Sequence, residues 1–207
     1  MKIKTIEVAG FLPAVLGMRN PMNSRVRSGS YDDGYGIILC NNDLDLAQKL
    51  ISAGGEHSKF MRQIQVWADF DMPRYFWSEF DTYSFNTKNS ASTMHRLLHK
   101  TTQITEDLFV YNEKDRDVID VIIKRLNEIR LEYLETKDAK LVRRAKQLLP
   151  EGFLRLRTVN TNYAEIRNIF MQREFHKLKE EWRAEFCNWV RTLPYANELI
   201  LSGLKVV

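Results

Sequence analysis

Apolar and polar positions alternate weakly over residues 2–9, which predicts a strand. Lys2 and Lys4 alternate with Ile3 and Thr5, and Glu7 interrupts the would-be apolar core of a leader, so the first 18 residues read as strand plus loop. Residues 17–36 are rich in Gly, Asn, Ser, Arg and Asp and predict a long loop. Its arginines Arg19, Arg25 and Arg27 are either solvated or able to close over a phosphate. Leu44, Leu46, Ala47, Leu50 and Ile51 have helical spacing, with Asn42 or Asp43 as cap and Gly54-Gly55 as terminator. Ile64, Val66 and Ala68 alternate with Gln63, Gln65 and Trp67 as a strand does. Pro73 then breaks the run before a second strand or a helix.

From Thr102 to Leu149 the pattern is helical and predicts two helices. Val118, Ile119, Ile122, Leu126, Ile129 and Tyr133 form one stripe, and Thr136-Lys137-Asp138 breaks it before a shorter helix that ends at Pro150. Gly152 to Val159 alternates Phe153, Leu154, Leu156 and Val159 with Arg155 and Arg157, a strand pattern. A last amphipathic helix is predicted from about Tyr163 to Val190, with Asn162 as its cap. Strands early and helices mostly late predict one α+β domain over residues 1–207.

Composition changes this picture little. The chain has 207 residues, 44% hydrophobic and 28% charged, an ordinary globular balance. No apolar run approaches the roughly 18 residues that span a bilayer, so no membrane association is expected. Cys40 and Cys187 have no metal or redox spacing and read as free thiols of a cytoplasmic protein. The formal charge of +4 suits anionic small ligands, and no Lys/Arg block suggests a nucleic-acid partner.

Candidate chemistry concentrates in two stretches. Residues 72–99 pass from an aromatic run, Tyr75-Phe76-Trp77, through a polar segment to Ser90, Ser92, His95, Arg96 and His99. Such a change suits a pocket for a flat, phosphorylated ligand, or equally an ordinary strand, loop and helix start. His95 and His99 would share a helix face, but no third ligand is indicated and no metal site is expected. No phosphate loop, HExxH or nucleophile elbow is present. In the second stretch, Lys146 precedes Leu148-Leu149-Pro150, and Asn160, Asn162, Asn168 and Arg173 follow. Asn168 sits among Ile166, Ile169 and Phe170. A mid-helix amide there predicts either a half-buried ligand contact or a bond to a neighbouring helix.

These elements, in this order, resemble the flavin-dependent thymidylate synthases. Gly55-Glu56-His57-Ser58-Lys59-Phe60 resembles that family's Gly-His-x-Ser-Pro-Phe segment. Glu79 falls where the family has Gln, and the family's Arg-His-Arg signature falls on Thr82 to His95, where Asn89 and Ser92 match. Ala145-Lys146 through Leu149-Pro150 resembles Ala-Arg-x-x-Leu-Pro, and Asn162, Asn168 and Arg173 meet Asn-x5-Asn-x4-Arg. Thr82, Tyr83 and Ser84 stand in place of Arg-His-Arg, Ser90 in place of Glu, Met94 of Arg and His95 of Tyr, as in a divergent branch.

The resemblance implies an α+β fold with a central mixed or antiparallel sheet flanked by long helices, in a homotetramer with shared sites. It implies reductive methylation of dUMP to dTMP with FAD, methylenetetrahydrofolate and NADPH, without an enzyme nucleophile. Arg74, Glu79, Ser90, Ser92, Lys146 and Arg173 would meet the nucleotide. His57, Ser58, Thr82, Ser84, Asn89, Asn162 and Asn168 would meet FAD. Loss of the signature arginines leaves open a relative that modifies another pyrimidine nucleotide, or a nucleotide-binding homologue without FAD.

Overall fold

The computed structural model describes residues 1–101 and 103–204; Thr102, where the helical pattern was read to begin, lies outside them. Strand β1 (Lys2–Ala9) forms as expected. The apolar run after it is a helix, α1 (Phe11–Met18), and not a loop. Phe11, Ala14, Val15 and Met18 bury one face at helical spacing, and Pro13 is tolerated because it sits in the first turn. Two single-turn 3-10 helices and a short hairpin, β2 (Tyr31–Asp32) with β3 (Ile37–Ile38), fill the predicted loop. Helix α2 (Asn41–Ala53) ends at Gly54 as read, but its N-cap position is Cys40. Asn42 and Asp43 lie in the first turn.

Strand β4 (Gln65–Pro73) gives way directly to helix α3 (Arg74–Phe80), because proline holds an extended φ and suits the position before a first helical turn. Next come β5 (Thr87–Ser90) and α4 (Thr93–Leu97), which Ser92 caps by accepting from His95 N at 3.4 Å. Since α4 stops at Leu97, His99 lies beyond it and shares no helix face with His95.

The long helix α5 (Arg116–Thr136) starts well after residue 102. The Phe109-Val110 backbone pairs with Gly152-Phe153 instead: Val110 N donates to Gly152 O at 2.8 Å. Gly152 permits this approach, since a Cβ there would overlap the Val110 carbonyl. Val118, read as part of the apolar stripe, is exposed. Lys137 turns the chain in the left-handed region (φ 58°), and Asp138 caps α6 (Ala139–Leu148).

Strand β6 (Leu154–Asn162) starts and ends later than read, and its faces are exchanged at the middle: Leu156 is exposed while Arg157 is buried. Helix α7 (Tyr163–Arg173) then ends early; a π-helical segment, Lys179–Cys187, and a short α8 (Asn188–Arg191) follow the break. At the break, Leu178 N donates to the His176 ring at 3.3 Å, replacing a helical bond with a local one. A second π-helical turn, Ala196–Ile200, follows. The main sheet is antiparallel, with strand order β1-β4-β6-β5. Among the described residues no helix is long and apolar enough to cross a membrane, and both cysteines are free.

Two compact units make up the chain. The first comprises residues 1–2, 70–82 and 89–158; the second comprises 3–69, 83–88 and the chain from Val159 on. In the first, Leu126 and Ile129 of α5 pack with Leu141 and Ala145 of α6, and Phe109 meets Phe153 edge-on. Phe70, Phe76, Trp77 and Phe80 form a second, fully buried aromatic group, each ring contributing about 1.5–3 kcal/mol by leaving water. In the second unit, Phe11 meets the Tyr163 ring edge-on at 5.5 Å, and Tyr163 donates its hydroxyl to Pro194 O. Gly10 makes the turn into α1 at φ 95°, and a Cβ there would overlap the Gln63 carbonyl oxygen. Gly10→Ala should therefore cost about 2 kcal/mol or more, read as a lowered urea midpoint with unchanged slope.

Candidate functional site

In the first unit the end of α6 is stitched to the start of α3. Arg74 donates to Leu149 O at 3.1 Å and pairs with Glu151 at 3.2 Å, while Tyr75 N reaches Glu151 O. This brings two residues of the nucleotide assignment together: Arg74 and Lys146 line one cleft of about 220 Å3, with Thr93, Leu149 and Arg155. A second cleft of about 190 Å3 shares Arg74 and Arg155 and adds Trp77, Ser78, Asp81, Glu151 and Arg157.

Trp77 organises that second wall. Its indole N–H donates to Met72 O and Arg155 O, and its ring lies 4.2 Å from the Arg157 guanidinium. Arg157 grips both oxygens of Asp81 at 2.8 and 3.1 Å, which lets a strand arginine be buried. Burial pulls the Arg155 pKa down. Repulsion from Arg157 and then Arg74 adds to this, and Asp81 opposes it.

The remaining assigned residues of this unit are more scattered. Glu79 is in the last turn of α3, where its carbonyl accepts from the exposed Thr82 hydroxyl at 2.7 Å. Asn89 and Ser90 end β5 in solvent, and Ser92 is occupied as a cap. Arg96, from the polar end of the 72–99 stretch, is drawn to Asp71 (3.4 Å) and Leu154 O (3.0 Å).

In the second unit, α7 carries a continuous polar ladder. Asn162 caps the helix by accepting from Glu165 N at 3.0 Å. The buried Glu165 accepts from Phe85 N and from Asn168. Asn168 accepts from Gln172 at 2.9 Å, and Gln172 accepts from the Tyr83 hydroxyl at 3.1 Å. Arg173 Nε donates to that same hydroxyl at 2.8 Å, and its guanidinium lies over the rings of Trp182 (4.6 Å) and Tyr83 (5.5 Å). Asn162, Asn168 and Arg173 thus fall on one line. Asn168 itself is exposed and bonds within its own helix, so neither a half-buried amide nor a bond to a neighbouring helix is found. Tyr83, Glu165, Gln172 and Trp182 complete the ladder and were not assigned to a site from sequence. Glu165 and Gln172 had a signal, since they stand three and ten residues after Asn162 on one helical face. Ser84 is exposed in the loop beside Tyr83.

His57 and Ser58 sit on a 3-10 stretch, Gly55–Gln63, where Ser58 donates to Gly55 O at 3.1 Å. His57 lines a large cavity of this unit, about 1120 Å3. Its apolar walls include Met18, Leu46 and Phe60, and Arg27, Lys49, Lys59 and Arg62 supply cations. The loop beside it is pinned. Arg19, read as solvated or free to close on phosphate, is buried and paired with the fully buried Asp43. Burial alone would raise the Asp43 pKa, but hydrogen bonds from Ser30, Cys40, Arg19 and Ser28 outweigh it and hold the carboxyl far below its ordinary range. Arg25 binds Asn20, and Arg27 is exposed at the cavity.

No family model matches the sequence, and no curated protein matches it. The chain is similar in structure to thymidylate synthase X of Helicobacter pylori, solved with FAD and dUMP, with a TM-score of 0.71 at 16% identity over 96% of this chain and 95% of that one. A second structure of that flavin-dependent thymidylate synthase, also with FAD and dUMP, gives 0.70 at 16% identity over 96% of each chain. At that identity the likeness establishes the fold, which is the α+β fold of these enzymes.

Proposed function

We propose that this chain is a flavin-dependent thymidylate synthase-like enzyme that binds a pyrimidine nucleotide, dUMP or a close relative, and FAD. The observation that carries the reading is the shared fold. Arg74 and Lys146 line one cleft, and Asn162, Asn168 and Arg173 share one ladder. Within this reading residues 1–207 act as one functional domain of a cytoplasmic homotetramer.

The chemistry of the large cavity fits a flavin dinucleotide. Its cations, which outnumber the lining carboxylates Asp45 and Glu56, suit a pyrophosphate, its apolar walls suit a ring system, and His57 stands among them. When bound, FAD would supply the electrons for reductive methylation of dUMP to dTMP, with methylenetetrahydrofolate as carbon donor and NADPH as reductant. This chain's own residues bind and orient. Arg74 and Lys146 hold the nucleotide's anion. Arg173, fixed by Tyr83 and Trp182, presents a planar cation, and the amides of Asn162 and Asn168 are set by the ladder.

A second reading is supported by the exposed hydroxyls of Thr82 and Ser84 at the family's arginine positions: a nucleotide-binding homologue that has lost FAD. One experiment separates the two. Purified protein is scanned for flavin absorbance and titrated with FAD and dUMP. Yellow protein that takes up both supports the enzyme, and Lys146→Ala should then weaken dUMP binding about tenfold. Colourless protein that binds dUMP alone supports the homologue, and protein that binds neither removes both.

A further inference from the structure

The adjoining clefts of the first unit hold a charge that their own side chains do not balance. Arg74, Lys146, Arg155 and Arg157 line them, against two carboxylates, Asp81 and Glu151. Each carboxylate is already matched, Asp81 to Arg157 and Glu151 to Arg74. Arg155 and Lys146 make no ion pair among the described residues. Arg155 is the more telling of the two. Its Nε is buried without a hydrogen-bond partner among the described residues, and two guanidinium groups, Arg74 and Arg157, line the clefts beside it. A buried guanidinium N–H with no acceptor, next to like charges, loses its hydration without a hydrogen bond to replace it.

We propose that Arg155 is the principal anion ligand of this cleft, assisted by Lys146 and Arg74, and that the group it takes is a dianionic phosphate monoester. The excess of two positive charges matches the roughly −2 of a monoester at neutral pH. A carboxylate would leave one charge unmatched, and a diphosphate would bring more negative charge than the cleft offsets. The Thr93 hydroxyl at the rim can donate to a further phosphate oxygen. Arg157, held by Asp81 and stacked on Trp77, positions Arg155 from the far side: the same indole N–H that anchors Trp77 binds the Arg155 carbonyl at 3.0 Å.

That the monoester belongs to a pyrimidine nucleotide rests on the reading of the previous subsection, and the test separates the two claims. Wild type and Arg155→Gln are titrated calorimetrically with deoxyuridine, dUMP and dUDP, and their melting is followed with and without inorganic phosphate. Among the described residues Arg155 donates no side-chain hydrogen bond that folding would lose, and Arg155→Lys provides a charge-retaining control. Wild type should bind dUMP about tenfold or more tightly than deoxyuridine and no less tightly than dUDP. Arg155→Gln should erase most of the gain over deoxyuridine, and Arg155→Lys should keep part of it. If the gain survives Arg155→Gln, or dUDP binds more tightly than dUMP, the inference is overturned while the nucleotide reading stands. If no nucleotide binds but phosphate raises the melting temperature of wild type and not of Arg155→Gln, the phosphate site stands and the nucleotide reading falls. If neither phosphate nor nucleotide acts on wild type, both fall. An Arg155 that is only a solvated strand cation would give a variant as stable or more stable, indifferent to phosphate in both forms.

Discussion

Asp43→Ala should destabilise the protein by about 3–5 kcal/mol, the largest loss expected of any single exposed-or-buried charge change here. Asp43 is fully buried and Arg19 nearly so, and the two form an ion pair. Removing the carboxylate strands the Arg19 charge in the interior and removes the acceptor used by Ser28, Ser30 and Cys40. Equilibrium urea unfolding of wild type and variant measures the difference, and a loss below about 1 kcal/mol would show that the pair is dispensable. Arg19→Met with Asp43→Leu should recover much of the loss, since a buried pair replaced as a unit leaves no orphan charge.

The pH dependence has a definite sign. The folded carboxyl titrates below its unfolded value of about 3.9, so its contribution is fully present above that value and fades as pH falls through the folded one. The gap between wild type and Asp43→Asn should therefore narrow only below about pH 4. The same pin holds Arg19, Ser24, Arg27 and Asn42 at the large cavity, so Asp43→Ala should also lower FAD uptake under conditions where the chain remains folded.

Arg173→Lys should weaken nucleotide binding about tenfold although the charge is kept, and Arg173→Ala should weaken it further. The guanidinium is used in several ways at once, among them Nε on the Tyr83 hydroxyl, one face toward Trp182 and a contact with the Tyr83 ring. An ammonium cannot keep both the hydrogen bond and the stack, so it would not present a cation at the same place. A purely structural role predicts something else, namely lower melting temperatures with unchanged affinity. Titration calorimetry beside thermal unfolding distinguishes them. Glu174, an obvious acid for Arg173 by sequence position, pairs with Arg191 at 3.3 Å instead.

Local chemistry was enough to place much of this protein from sequence. Alternation located β1 and β4, Gly54 located the end of α2, Asp138 the start of α6, and Asn162 its own capping role. These depend on neighbours within about one turn, and residue type alone sets them. The resemblance likewise drew on short segments, and it anticipated the fold.

Tertiary structure decided what depends on partners distant in sequence. The alternation of β6 pointed Leu156 inward and Arg157 outward, and the reverse holds because Asp81 and Trp77 satisfy the arginine. Arg19 looked like a loop cation and is an interior one, because Asp43 waits for it in the first turn of α2. Residues 103–115 had helical character, yet Phe109-Val110 took backbone partners at Gly152-Phe153, where a missing Cβ makes room. A charge or a backbone donor is placed by whichever acceptor removes its desolvation cost, and that acceptor can lie anywhere along the chain.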